Sequence, residues 1–304
     1  MKVVVTGGVG FIGSNLAEEL SKKHQVIVLD DLSTGREINI RGLDVEFVKG
    51  SITDISLLNR VFTGVDYVFH EAALPSVQRS VDNPLATNEV NIGGTLNVLM
   101  AARDQGVKKV MFASSSSVYG DTPTLPKQES MTPAPMSPYA VTKLAGEHYF
   151  KVFSSLYGLK MTCLRYFNVF GPRQDPKSQY AAVIPNFITK ILNHQSPIIH
   201  GDGEQTRDFT FIRDVVHANI LAMESSSEGV FNIACERRVS LNVLADQIME
   251  IIGERREPVY DAARSGDVRD SLADYALARE HLNYEPGFTL LQGLEETIQW
   301  FRNQ

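Results

Sequence analysis

Val3-Val4-Val5-Thr6-Gly7-Gly8-Val9-Gly10-Phe11-Ile12-Gly13 is the stretch on which the fold is read. An apolar β-branched run enters a glycine-rich loop, and helical spacing follows from Ile12 to Lys22. Gly8, Gly10 and Gly13 satisfy Gly-x-Gly-x-x-Gly; Gly7, Gly10 and Gly13 satisfy the spacing Gly-x-x-Gly-x-x-Gly. Missing side chains allow a tight turn, close approach to a pyrophosphate and close helix–strand contact. The helix that opens there offers unpaired N–H groups and the positive end of its dipole to phosphates. Ordinary turns use the same glycines, so the weight comes from the order strand, loop, helix. Asp30 ends the next strand, where a carboxylate accepts from ribose hydroxyls and repels a 2′-phosphate. This favours NAD over NADP, with Arg36 downstream as the counter-argument.

The same rhythm continues outward. Apolar runs at Val3–Thr6, Gln25–Leu29, Val45–Val48, Tyr67–Phe69, Lys109–Ala113 and Met161–Tyr166 predict strands. Ile12–Lys22, Leu57–Phe62, Leu85–Arg103 and Tyr139–Tyr157 have helical spacing. Strands alternating with helices predict a doubly wound, Rossmann-like parallel sheet, an α/β fold with both sheet faces covered. After Gly171-Pro172-Arg173 the elements shorten: helices at Ala182–Asn193, Asp214–Met223, Leu241–Ile252 and Leu290–Phe301, and a strand at Ile198–His200. The expected division is a dinucleotide-binding domain over 1–170 and a smaller mixed α/β substrate lobe over 171–304. Some of the later segments are free to return to the first domain. Asp121–Pro138 holds five of the 13 prolines and should be an irregular loop leading into the helix at Tyr139.

Composition removes whole classes. Of 304 residues, 43% are hydrophobic and 21% charged, which excludes disordered, fibrous and coiled-coil chains. The net charge of −7 argues against nucleic-acid and anionic-membrane partners, so any anionic ligand needs local positive groups. Cys163 and Cys235 cannot build a disulfide scaffold, and in their apolar runs they read as core rather than nucleophiles. The start of the chain does not read as a signal peptide, so the expected compartment is the cytoplasm. The seven histidines are scattered without ligand spacing, so no metal is expected.

Tyr139-Ala140-Val141-Thr142-Lys143 puts a phenol and an ammonium on one helix face. A tyrosine with a pKa of about 10 is a poor base at neutral pH. A lysine cation and a positively charged oxidised nicotinamide would lower it. The run Ser114-Ser115-Ser116-Ser117 ends the fifth strand, where hydroxyls point into the ligand crevice.

These motifs together resemble the extended short-chain dehydrogenase/reductase superfamily. Asn91-Ile92-Gly93-Gly94-Thr95, Leu164-Arg165-Tyr166-Phe167-Asn168, Gln205-Thr206-Arg207-Asp208-Phe209 and Arg264-Ser265-Gly266-Asp267 extend the likeness over nearly the whole chain, toward the UDP-glucose/UDP-N-acetylglucosamine 4-epimerases. The resemblance implies that Tyr139 removes the proton of the sugar 4-hydroxyl while the C4 hydride passes to NAD. A 4-keto sugar turns over and takes the hydride back on its other face. Lys143 would hold the nicotinamide ribose, and Ser115 and Ser117 would contact the reacting oxygen. It also implies a cofactor set of Gly7, Gly10, Phe11, Ile12, Gly13, Asp30, Asp31, Ser33, Thr34, Gly35, Ser51, Ile52, Ala72, Ala73, Asn91, Tyr139, Lys143 and Tyr166. The UDP-sugar would meet Ser115, Ser117, Tyr139, Asn168, Val183, Arg207, Arg264, Asp267 and Ser271. A homodimer through the helices at Leu85–Arg103 and Tyr139–Tyr157 is expected on the same grounds.

Departures from the pattern matter. Ser51 stands where many relatives place an acid near adenine, Glu71 beside the expected nicotinamide reads as a solvated or structural acid, and Pro75 stands where some relatives place a lysine. Ser271 stands where a bulky tyrosine would close the pocket, so an N-acetyl group has room. Relatives that dehydrate carry Asp-Glu at Ser116-Ser117, and decarboxylating relatives carry glutamate at Ser117. UDP-glucuronate 4-epimerases share the serine run but usually have threonine at Asn168. A regulator that binds NAD without catalysis is the reading from another class, and the intact Tyr139/Lys143 pair opposes it.

Overall fold

The computed structural model describes residues 1–176, 182–263 and 268–304. The first strand, β1 (Lys2–Thr6), leads through the glycine loop into α1 (Phe11–Ser21). There follow β2 (Gln25–Asp30), β3 (Glu46–Lys49), α2 (Ile55–Val61), β4 (Tyr67–His70), α3 (Val77–Asp82) and α4 (Pro84–Asn88). A π-helical turn over Glu89–Gly94 joins α4 to α5 (Thr95–Asp104), and β5 (Lys109–Ser115) and α6 (Pro138–Tyr157) come next. The expected single helix over Leu85–Arg103 is thus broken. Gly93 and Gly94 hold α-helix poorly, and the Asn91 side chain is engaged outside the helix. α6 starts where its ends predict: Ser137 accepts from the Ala140 N–H, Pro138 takes the first turn, and Gly158 closes it at a φ of 67°.

The second half continues with β6 (Lys160–Tyr166), β7 (Val169–Phe170), α7 (Val183–Leu192), β8 (Ile198–His200), β9 (Thr206–Asp208) and β10 (Thr210–Phe211). After them come α8 (Ile212–Glu224), β11 (Gly229–Ile233), β12 (Arg238–Ser240), α9 (Leu241–Ile252), β13 (Val259–Asp261), α10 (Ala276–Leu282) and α11 (Leu290–Arg302).

Among the described residues, seven strands form one parallel sheet in the order β11-β6-β5-β4-β1-β2-β3. Connections run one way from β1 and the other way from β4, so the crevice between the carboxyl ends of β1 and β4 is the topological switch point. Side chains alternate across β1 and β2. Val3, Val5, Val26 and Val28 enter one core; Val4, Ile27 and Leu29 enter the other. The first core includes Leu16 and Leu20 of α1 and Val215 and Ala218 of α8, and the second includes Leu58 of α2, Leu99 of α5 and Phe150 of α6. The first core also runs on into Phe187 and Ile188 of α7, Leu244 and Ile248 of α9, and Leu294 and Ile298 of α11. The later segments therefore share a core with the sheet, and β11 pairs with β6 as its outer strand. No described helix is long and apolar enough to cross a membrane.

Candidate active site

The glycine loop is built by close contacts. A Cβ on Gly13 would lie 2.2 Å from the Gly7 carbonyl oxygen, and one on Gly7 would lie 2.7 Å from the Ala72 nitrogen. Gly7 also has φ +70°, which L side chains avoid. The backbone cap of α1, Gly10, supplies no side-chain acceptor, so the first-turn N–H groups stay available to an anion. Asp30 is buried at the end of β2. Its two oxygens accept from the Val9 and Leu32 N–H groups at 3.2 and 2.8 Å, while burial pushes the carboxyl up.

These features open a cleft of about 570 Å³, within the roughly 300–1,000 Å³ of cofactor and ligand sites. Of the expected cofactor residues, Gly7, Gly10, Phe11, Ile12 and Gly13 line it from the loop and α1. Asp30, Asp31, Ser33, Thr34 and Gly35 line it after β2. Ile52, Ala72, Ala73, Tyr139, Lys143 and Tyr166 complete that wall. A dinucleotide fits this cradle: bare backbone at the phosphate turn, first-turn helix N–H groups turned to it, and a carboxylate at the end of the second strand.

Two expected residues are differently employed. Asn91 is buried, and its amide clamps the backbone of Leu74 at both ends while also donating to Thr142 Oγ1. It therefore braces the wall behind Lys143 instead of lining the cleft. Ser51 is also absent from the lining, and its Oγ accepts from Thr53 N and Oγ1 at 3.2 and 2.9 Å.

At the carboxyl edge of β5 the reactive groups converge. Ser115 Oγ accepts from the Ser117 N–H at 3.2 Å and from Ser117 Oγ at 2.9 Å, which leaves its own proton to donate. Ser115 in turn favours the ionised form of the Tyr139 phenol. Lys143 Nζ donates to the Ala113 carbonyl at 2.6 Å and lies 5.8 Å from the centre of the Tyr139 ring. Of the two charges expected to lower the phenol, Lys143 and an oxidised nicotinamide, only Lys143 belongs to the chain. Burial dominates and, with Glu71, pushes Tyr139 up to about 12 despite Ser115. Burial likewise lowers Lys143 to about 8, and Glu71 opposes that shift.

The helix that carries this pair is anchored from behind. Glu147 of α6 accepts from Arg165 Nε and Nη2 at 2.8 and 2.7 Å and from Ser114 Oγ at 2.5 Å. His70 lies buried between Thr6 Oγ1 at 2.8 Å and Thr95 Oγ1 at 2.9 Å. Thr95 spends its proton on the Asn91 carbonyl, so His70 Nε2 donates to Thr95, and Nδ1 accepts from Thr6. Burial holds this imidazole neutral, with its pKa lowered to about 3.

On the far side, Asn168 sits at φ +35° and donates to the Asp208 carbonyl at 3.0 Å and to Ser271 Oγ at 3.2 Å. Two expected sugar-site residues are thus in direct contact. Arg207 is buried, with Nη1 donating to the Thr206 and Arg269 carbonyls, and Val183 opens α7. Arg264 and Asp267 lie outside the described residues.

Sequence reasoning missed Arg173 and Trp300, which also line the cleft. Arg173 donates to the Ser14 carbonyl at 3.1 Å and to Glu18 Oε2 at 2.6 Å, tying the Gly-Pro-Arg turn to α1. Its only sequence signal was that turn, and Trp300 had none. The two cysteines are buried and free, and no described His, Cys, Asp and Glu cluster could hold a metal ion.

Known proteins are similar to the chain over its whole length. The chain is 42% identical over 304 residues to the putative UDP-glucose 4-epimerase of Methanocaldococcus jannaschii, covering 99% of this chain and 98% of that one. It superposes with a TM-score of 0.97 and 42% identity on the UDP-N-acetylglucosamine 4-epimerase of Methanobrevibacter ruminantium M1 in complex with UDP-N-acetylmuramic acid, covering 100% of this chain and 98% of that one. The same score and identity relate it to the UDP-glucose 4-epimerase of Thermotoga maritima with UDP-glucose, covering 100% and 99%. The model of the NAD dependent epimerase/dehydratase family matches residues 3–234, and the chain belongs to that family, whose cofactor is NAD.

Proposed function

We propose that this chain is a UDP-hexose 4-epimerase that interconverts UDP-glucose and UDP-galactose and also accepts UDP-N-acetylglucosamine and UDP-N-acetylgalactosamine. The convergence of Tyr139, Lys143 and Ser115 beside the glycine-loop cleft carries this reading. NAD, when bound, supplies a hydride acceptor that gives back what it takes. The rest falls to the chain. Tyr139 takes the proton of the sugar 4-hydroxyl, holds it while the 4-keto sugar turns over, and returns it to the same oxygen. Ser115 steadies the phenolate, and Ser117, donating to Ser115 Oγ, leaves Ser115 a proton to do so. The Lys143 ammonium adds positive charge on the same wall.

Asn168, Arg207 and Arg264 hold the diphosphate, where guanidinium groups suit a dianion, with Asp267 on the nucleotide and Val183 among the other substrate contacts. Ser271, buried against Asn168, supports access for the N-acetyl sugars, since a tyrosine there would fill the space. On this reading most of residues 1–170, joined by later segments such as β11, hold the cofactor, and most of 171–304 close over the sugar nucleotide. A cytoplasmic homodimer completes the proposal. It is supported by exposed apolar side chains on α4 and α6, Leu85 at 82% exposure and Leu156 at 67%. Light scattering at twice the 33.7 kDa chain mass supports the dimer, and the single-chain mass overturns it.

Tyr139→Phe tests the chemistry. Loss of a general acid–base of this kind costs roughly 10²–10⁴-fold in turnover, with NAD still bound. A variant that turns over like the wild type would overturn the assignment.

A further inference from the structure

Glu71 lines the cleft but has no part in the scheme above. It follows β4 directly, and its backbone N–H donates to the Thr6 carbonyl at 3.1 Å, which fixes it across the switch point. Its Oε1 accepts from Tyr166 Oη at 2.9 Å, and Tyr166 Oη accepts from Asn219 Nδ2 at 2.8 Å. An amide nitrogen only donates, so the Tyr166 proton is left to point at Glu71. The chain of hydrogen bonds runs in one direction from α8 to the carboxyl group, and it favours a negative Glu71. Among the described residues, the charged and titratable groups that feel Glu71 are Lys143, Tyr139 and Tyr166, from α6 and β6. Burial pushes the carboxyl up to about 7, against the pull of Tyr166 and Lys143. The Lys143 ammonium on the same wall disfavours a second positive charge in the cleft.

We infer that Glu71 is the charge-compensating residue of the cofactor site, holding bound nicotinamide toward its oxidised form by balancing the ring's positive charge beside Lys143. The inference rests on the reading that Tyr139 and Lys143 mark the nicotinamide end of the cleft. Oxidised and reduced nicotinamide differ by one hydride, two electrons and a proton, and the oxidised ring carries the one extra positive charge. A carboxylate nearby therefore stabilises the oxidised form and leaves the reduced form nearly unaffected. The hydride taken from C4 is then returned to the ketone, the C4–H bond re-forms, and the proton on Tyr139 goes back to the oxygen. Glu71 thereby opposes escape of the 4-keto sugar, which would strand the enzyme with reduced cofactor.

The test is competition between NAD⁺ and NADH for the full chain. Protein equilibrated with mixtures of known ratio is freed of unbound nucleotide, and bound NADH is read by nicotinamide emission excited through Trp300. Trp300 is the only tryptophan and lines the same cleft. Glu71→Gln keeps an oxygen to accept from Tyr166 but removes the charge, and the bound ratio should move toward NADH by about tenfold. Glu71→Asp should return it toward the wild type. Tyr166→Phe removes the bond that favours ionised Glu71 and should shift the ratio the same way, which keeps the test open if Glu71→Gln does not fold. An unchanged ratio in the variants that fold overturns the inference, since a merely structural Glu71 would lower the melting temperature alone. A wild-type chain that binds neither nucleotide overturns the underlying reading instead.

Discussion

Replacing Glu147 by alanine is expected to destabilise the protein severely, although this residue never touches a ligand. Glu147 and Arg165 are 5% and 4% exposed and form a two-point pair, with the Ser114 hydroxyl donating to the same carboxylate. Removing one partner of such a pair leaves a buried charge uncompensated and costs about 3–5 kcal/mol. Arg165 Nη1 already has no hydrogen-bond partner among the described residues, and Ser114 would lose its acceptor, so the upper end applies. At roughly 2 °C per kcal/mol for a chain of this length, the melting temperature should fall by about 10 °C. NAD is held at one fixed concentration, because ligand binding moves the transition by itself. Turnover should fall too, since Glu147 lies one turn beyond Lys143 and ties α6 to β5 and β6. The double variant Glu147→Leu with Arg165→Met removes both charges and should recover most of the lost stability. A Glu147→Ala variant that melts within about 2 °C of the wild type, or a double variant no more stable than the single one, would refute this role for the buried pair.

Two further outcomes follow from the cleft. Gly13→Ala must place a methyl group 2.2 Å from the Gly7 oxygen and 2.8 Å from Gly8 Cα, both backbone atoms, so the loop has to shift. NAD affinity should fall at least about tenfold, about 1.4 kcal/mol, by equilibrium titration; affinity equal to the wild type would refute the cradle. The Tyr139 phenol of cofactor-free protein, raised to about 12, should stay neutral well above pH 10. Adding oxidised NAD should move its ultraviolet titration downward, because a nearby positive charge favours the phenolate. A midpoint unmoved by NAD, measured against Tyr139→Phe, would contradict the shared site.

Much of this arrangement is legible in the chain because its causes are local. Val3-Val4-Val5 alternates between two buried faces, the glycine loop leaves no room for side chains, and Ser137-Pro138 announces the start of α6. Other features depend on partners distant in sequence. Gly229–Ile233 is too short and ordinary to reveal that it pairs with β6 at the sheet edge. The π-turn at Asn91 reflects a clamp on Leu74 and Thr142. Glu71 reads as an isolated acid until Tyr166 and Asn219 are folded against it. The phenol's upward shift was hidden for a different reason: spacing places Lys143 near Tyr139, but only the folded walls set the desolvation that outweighs it.

The most direct measurement incubates the purified protein, without added cofactor, with UDP-glucose, UDP-galactose, UDP-N-acetylglucosamine and UDP-N-acetylgalactosamine, following the sugar by proton NMR and the nicotinamide by absorbance. The expected result is inversion at C4 with no net NADH. A 6-deoxy-4-keto product, or no reaction with any of the four sugars, would contradict it.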